Sequence, residues 1–216
     1  MNPGTDNIIE YGNPDADIIL IQPSGDHEQE TLENEVGLIR ELSGTDFRFI
    51  GYMVKDWNRD LSPWKAPAVF GNEDFGDGAA DTLSGILKLC THKYKKYFLG
   101  GYSLAGLFSL WAACQTDSFA GIAAASPSVW FPGFNDYVQK NDIRTEGVYL
   151  SLGDREEMTK NAVMRTVGDR IRECHSLLST RNIPCILEWN RGGHFKEPDI
   201  RTARAFAQLL HLVSVT

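Results

Sequence analysis

The chain alternates between two kinds of apolar pattern. "DIILIQ", Asp17 to Gln22, is a short β-branched run without helical period, the pattern of a strand buried on both faces. In the segment after it, Leu32, Val36, Ile39 and Leu42 recur at helical spacing. Acidic residues crowd the start of that segment and Gly44 follows its end, as helix electrostatics and C-capping favour. "FRFIGYMV", Phe47 to Val54, predicts a second strand. A stretch from Lys55 to Gly78 is rich in Trp, Pro, Gly and Asp. Past it, Ala79, Leu83, Ile86, Leu87 and Cys90 mark a helical face, with Asp77 placed to cap it. "HKYKKY", His92 to Tyr97, reads as the solvated end of that helix. "KYFLGG" is the third strand, and Leu104 to Gln115 is a helix apolar nearly all round, hence buried.

"GIAAAS", Gly121 to Ser126, and "GVYLSLG", Gly147 to Gly153, predict strands four and five. Between Met158 and Ser179, Val163, Val167, Ile171, Cys174 and Leu178 mark another amphipathic helix. "PCILEWN" is the sixth strand, and Pro198 opens a last helix carrying Ile200, Ala203, Phe206, Leu210 and Val213. Strand and helix in alternation imply an α/β fold: about six mostly parallel strands with helices on both faces. Sites in such sheets form at the carboxyl ends of the strands.

Composition narrows the function classes. The 216 residues, 42% hydrophobic, suffice for a sizeable core and predict a single domain over 1–216. A formal charge of −8, with no basic run beyond "HKYKKY", argues against a nucleic-acid partner. The opening "MNPGTDNIIEYGNPDAD" lacks the basic start and apolar stretch of a secretion signal, and no segment approaches the ~20 apolar residues of a membrane span. Cys90, Cys114, Cys174 and Cys185 are scattered through apolar contexts, without metal spacing. They read as reduced core thiols, so a cytoplasmic location is expected, with no membrane partner and no metal. "GNEDFGDGA" lacks the spaced ligands and closing Glu of a calcium loop. Nothing in the sequence sets the oligomeric state.

The residues just past the strand ends carry the chemistry. "PSGDH" comes after the first strand, "GYSLAG" after the third, "DREE" after the fifth and "RGGHF" after the sixth. Serine, acid and histidine thus stand at one edge of the sheet, in the chain order of an α/β-hydrolase triad. Ser103 sits on a strand-to-helix elbow, where small neighbours, Gly101 and Ala105, relieve crowding. The N–H of Leu104, at the amino end of the buried helix, can face a developing oxyanion. His194 has the strongest setting of the histidines: His92, His175 and His211 fall in or at the ends of helices. His27, after the first strand, is its competitor, though a helix-start role fits it better. Asp154, Glu156 and Glu157 can each hold the imidazole tautomer, and Glu156 is the choice. The second oxyanion donor falls to Ser24 or Gly25, because Pro23 has no N–H. Trp57, Trp64, Trp130 and Phe131 fall in loops, where they could line an acyl or aryl pocket or serve as buried loop anchors.

In "GGYSLAG", "SPSVWF", "GDREEM" and "GGHF" the chain resembles the esterase branch of the α/β-hydrolases that includes esterase D, feruloyl esterases and enterochelin esterase. The resemblance runs over most of the chain, although its strong motifs are short. It implies a Ser-acid-His esterase acting on a small-molecule ester with no cofactor. The acid of such enzymes often stands three residues past a strand-end glycine, which from Gly153 gives Glu156. The same triad could serve acyl transfer or thioester hydrolysis, and a binding scaffold without turnover is the non-enzyme alternative. This sequence has Ala105 where many hydrolases have Gly, and "QPSGDH" in place of the usual His-Gly. It is also short for the branch. It is expected to lack the leading antiparallel strands and any large lid, with only about Phe131 to Arg144 left to cover the site.

Overall fold

The computed structural model describes residues 7–214. The first six residues of the opening segment lie outside them. A seven-stranded sheet runs in the order β1-β3-β2-β4-β5-β6-β7. Its strands are β1 (Ile8–Gly12), β2 (Ile18–Ser24), β3 (Arg48–Met53), β4 (Lys96–Tyr102), β5 (Gly121–Ala125), β6 (Gly147–Gly153) and β7 (Cys185–Asn190). All neighbours pair parallel except β1, which runs antiparallel to β3 with Ile8 opposite Tyr52 and Gly12 opposite Arg48.

β1 corrects the expectation of six strands and no leading antiparallel strand. "IIEYG" is short and hidden in a polar segment, because an edge strand needs only a few apolar contacts. Ile8 packs on one face of the sheet, Ile9 and Tyr11 on the other. Gly12 ends the strand at φ 84, where a Cβ would lie 2.3 Å from the Phe47 carbonyl oxygen.

Among the described residues seven α-helices accompany the sheet: α1 (Leu32–Ser43), α2 (Trp57–Asp60), α3 (Ala79–Leu87), α4 (Leu104–Gln115), α5 (Phe134–Lys140), α6 (Val167–Thr180) and α7 (Pro198–Ser214). The period-2 alternation of the strands divides the core. Ile19, Ile21, Leu99, Ile122, Val148 and Leu150 face α3, α4 and α6; Leu20, Phe98, Ala123 and Tyr149 face α1 and α7. α7 lies close on the sheet because the residues beneath it are small. A Cβ on Gly100 would stand 2.7 Å from the Phe206 ring, and one on Gly121 3.0 Å from Leu209.

Three local expectations change. α3 is capped by Gly78 with no side-chain bond, and Asp77 pairs instead with Lys65 at 3.6 Å. Gly78 is held by the Arg59 carbonyl, which its N–H reaches at 2.9 Å, so the tertiary contact sets the helix start. "HKYKKY" is not a helix end. α3 stops at Leu87, tight turns come next through Leu89 and Cys90, and Lys96 already opens β4. The helix expected from Met158 starts only at Val167, after a 3-10 turn over Met164–Thr166. The segment expected to cover the site carries α5, which buries Phe134 and Val138 in the core.

β2 stands where the strand order reverses. Its pairing with β4 ends at Ile21 opposite Leu99, whereas its pairing with β3 continues to Ser24 opposite Met53. A crevice therefore opens between the ends of β2 and β4, the place where open α/β sheets hold ligands.

Candidate active site

Ser103 joins β4 to α4 with φ 55 and ψ −115, a positive φ that a residue with a Cβ rarely adopts. Three backbone bonds fix the elbow. The Ser103 N–H donates to the Ala125 carbonyl at 3.0 Å, and its own carbonyl accepts from Leu107 and Ser128. The small residues around it are there because of crowding: a Cβ on Gly101 would lie 2.6 Å from the Ala105 methyl. Ala105 is tolerated because position 101 has no side chain.

Around this serine the structure brings together two residues from later strand ends. His194 Nε2 lies 3.0 Å from Ser103 Oγ, and His194 Nδ1 lies 2.7 Å from Glu156 Oε2. With the carboxylate accepting, Nδ1 carries the ring proton and Nε2 presents its lone pair to the serine hydroxyl. Glu156 is buried, and its other oxygen is fully occupied. Oε1 accepts from the Gly153 N–H at 2.7 Å, Ser126 Oγ at 2.7 Å and Arg201 Nη1 at 3.0 Å.

The other two acids go elsewhere. Asp154 Oδ1 accepts from the Gly192 N–H at 2.7 Å and so ties down the loop that carries His194. Glu157 turns toward Arg172 of α6 at 3.6 Å. His27 meets Trp57 edge-on at 5.0 Å between ring centroids.

The candidate oxyanion donors separate. Leu104 opens α4, so its N–H has no acceptor within the helix. Ser24 is not placed as expected. Its carbonyl accepts from Val54 in register with β3, and in that parallel ladder its N–H points to the Tyr52 carbonyl. The Gly25 N–H donates to Glu28 Oε2 at 3.1 Å. For Gly25 to meet an oxyanion, it must first exchange that carboxylate.

The tryptophans also divide. Trp130 is buried against Phe70 and Phe75 and lines a cavity of about 350 Å³ between the 129–136 turn and the start of α6. Trp57 opens α2 instead of lying in a loop, and it stands beside Gly25. Trp64 donates from Nε1 to the Pro132 carbonyl and packs on Phe131 and Tyr137, the role of a loop anchor.

Four residues escaped the sequence reading: Ser126, Ser128, Tyr102 and Arg201. Ser128 Oγ lies 3.2 Å from Ser103 Oγ, and Tyr102 donates its hydroxyl to the His194 carbonyl. Burial, and then the charge of Glu156, raise the Tyr102 hydroxyl above its ordinary range. The one sequence signal for Arg201 is a charged residue on the inner face of an amphipathic helix. No cysteine competes as nucleophile. Burial pushes the Cys90, Cys114 and Cys185 thiols up to about 12, and Cys174 is raised too. Among the described residues no cluster of His, Cys, Asp and Glu is placed to hold a metal, and no helix is long and apolar enough to cross a membrane.

Below the Gly25 loop sits a second acidic pair. Glu35 is 3% exposed and lies against the buried Gln22 amide. Burial raises Glu28 to about 7. Burial, with the charges of Glu28 and Asp199 adding and the Gln22 amide opposing, holds Glu35 well above the carboxylate range. Raised carboxyls favour the fold when protonated, so this contribution is present below about pH 4.5 and lost as pH rises toward 7 and beyond. Glu35→Gln is expected to melt with the wild type at pH 4.5 but several degrees above it at pH 8. Melting curves at the two pH values check this, and an equal offset at both would contradict it.

No protein-family model and no curated protein matches the sequence. Solved structures do. The siderophore hydrolase EstA from Aspergillus nidulans is similar at 18% identity and TM-score 0.64, over 98% of this chain and 97% of that one. An IroE-like serine hydrolase from Shewanella oneidensis matches at 14% identity and TM-score 0.71, over 94% and 75%. The enterobactin esterase FES from Shigella flexneri matches at 13% identity and TM-score 0.65, with 94% of this chain spanning 55% of that one. This chain thus covers about half the length of the Shigella esterase. At these identities the likeness establishes the fold, which is that of the α/β-hydrolases.

Proposed function

We propose that the protein is a serine esterase that cleaves a small-molecule carboxylic ester through Ser103, His194 and Glu156. The observation that carries this reading is the unbroken chain of contacts from Ser103 Oγ through the imidazole to Glu156 Oε2, at 3.0 and 2.7 Å. Ser103 Oγ attacks the ester carbonyl while His194 Nε2 takes its proton. Glu156 stabilises the imidazolium that forms, and the Leu104 N–H faces the oxyanion. The imidazolium then protonates the leaving alcohol, and water, deprotonated by the same nitrogen, releases the acid from the acyl-enzyme.

The cavity lined by Trp130, Phe131 and Phe134 is a candidate seat for an apolar acyl or aryl group; its lining starts at Val129, next in the chain to Ser128, whose hydroxyl lies 3.2 Å from that of Ser103. Siderophores or enterobactin are named for four of the similar structures, so siderophore esters belong beside short acyl esters in a substrate panel. The purified protein should turn over a p-nitrophenyl short-chain ester and take a fluorophosphonate label on Ser103. Absence of both would sink the reading and favour a binding scaffold. Thioesters and alcohol acceptors in the same panel separate hydrolysis of oxygen esters from thioester cleavage and acyl transfer.

A further inference from the structure

We infer that Arg201 is a positioning residue for this reaction: it holds Glu156 in place through Oε1 and balances its charge, so that Oε2 alone is left to face His194. The inference rests on the esterase reading of the site. Arg201 is 3% exposed, and both terminal nitrogens of its guanidinium are used. Nη1 reaches Glu156 Oε1 at 3.0 Å, Tyr102 Oη at 3.1 Å and Ser126 Oγ at 3.3 Å, and Nη2 donates to the Arg191 carbonyl at 3.3 Å. These partners come from β4, the end of β5, the turn after β6 and the loop after β7. One planar group thus ties the triad acid to the strand that carries Ser103 and to the loop that carries His194.

Stability does not account for this residue. Arg201 lies in the first turn of α7, where the helix dipole opposes a cation. Removing its charge from water is also unfavourable, and buried ion pairs can commonly be replaced by apolar groups without loss of stability. What the pair supplies is a buried carboxylate held in one orientation. The charged or titratable groups around it are Tyr102, His194, Arg201 and, through Gly192, Asp154. Arg201 is the one cation among them that does not depend on protonation of the imidazole. Losing it raises the proton affinity of the Glu156–His194 pair, whichever of the two takes the proton.

Arg201→Gln and Arg201→Lys test this in the full chain. The Gln variant is expected to lower kcat about 10²-fold with KM within about threefold. It should also move the acid limb of the kcat/KM profile upward by roughly one pH unit. The Lys variant keeps the charge but not the fork. It should leave the limb in place and lower kcat about tenfold. A folded Gln variant with an unmoved limb overturns the inference. If the Gln variant does not fold, the Lys variant decides, because full wild-type kcat there would show that the fork is dispensable. NMR titration of the His194 ring needs no turnover: its midpoint should rise in the Gln variant, and an unmoved midpoint counts against Arg201. A wild type that neither hydrolyses esters nor labels at Ser103 sinks the esterase reading, while this titration still decides the role of Arg201.

Discussion

Ser103→Ala is expected to lower kcat for a p-nitrophenyl acyl ester by about 10⁴–10⁶-fold, and His194→Ala by a similar factor. The double variant should be no worse than either single one. On the proposed mechanism the three groups act as a unit: without Oγ there is no atom to attack, and without Nε2 no base to take its proton. Neither substitution disturbs the core. Ser103 projects from an elbow held by backbone bonds, and the His194 side chain is 20% exposed. Steady-state kinetics on all three variants, with melting curves to verify folding, measure this. Losses that multiply in the double variant would mean that Ser103 and His194 act separately.

Gly153→Ala is expected to damage stability and chemistry together. A Cβ at this position would lie 2.3 Å from the Gly192 carbonyl oxygen, 2.9 Å from Glu156 Oε1 and 3.0 Å from Arg201 Nη1. The first contact is with backbone and cannot swing aside. β6 must then separate from the loop that carries His194, and Glu156 Oε1 must leave the Gly153 N–H, now 2.7 Å away. Overpacking of this kind destabilises by about 3 kcal/mol. For a chain of this length that lowers Tm by about 6–12 °C. Among molecules that remain folded, kcat should fall at least tenfold, because the acid no longer aligns the imidazole. A Gly153→Ala protein with unchanged Tm and kcat would show that the turn accommodates the methyl group.

The order of elements was legible because each buried strand is a short apolar run and each covering helix keeps its own apolar period. α4 is the clearest case: a helix apolar on every side can only lie inside. β1 was not legible, since an edge strand of five residues shows no run and draws its identity from pairing with β3. The cap of α3 and the start of α6 were misplaced for a related reason. The Arg59 carbonyl sets the first, and a 3-10 turn delays the second.

At the candidate site, the linear chain already shows which residue types stand at which strand ends: Ser103 between Gly101 and Ala105, three acids after β6, and His194 before α7. Chain order and the rule that α/β sheets gather chemistry at one edge were enough for that. The choice among neighbours came from the folded arrangement. Asp154 and Glu157 differ from Glu156 in direction, not in chemistry, and direction comes from which N–H or guanidinium lies opposite each carboxylate. The Ser24 amide is turned into the sheet by its register with β3, and Gly25 is held by Glu28. The cage around Glu156 Oε1 draws on Gly153, Ser126 and Arg201, residues up to 75 positions apart. No local pattern encodes a contact made by folding distant segments together, so Arg201 could be read as one more charge in "RTARAF" until the sheet brought Glu156 to meet it.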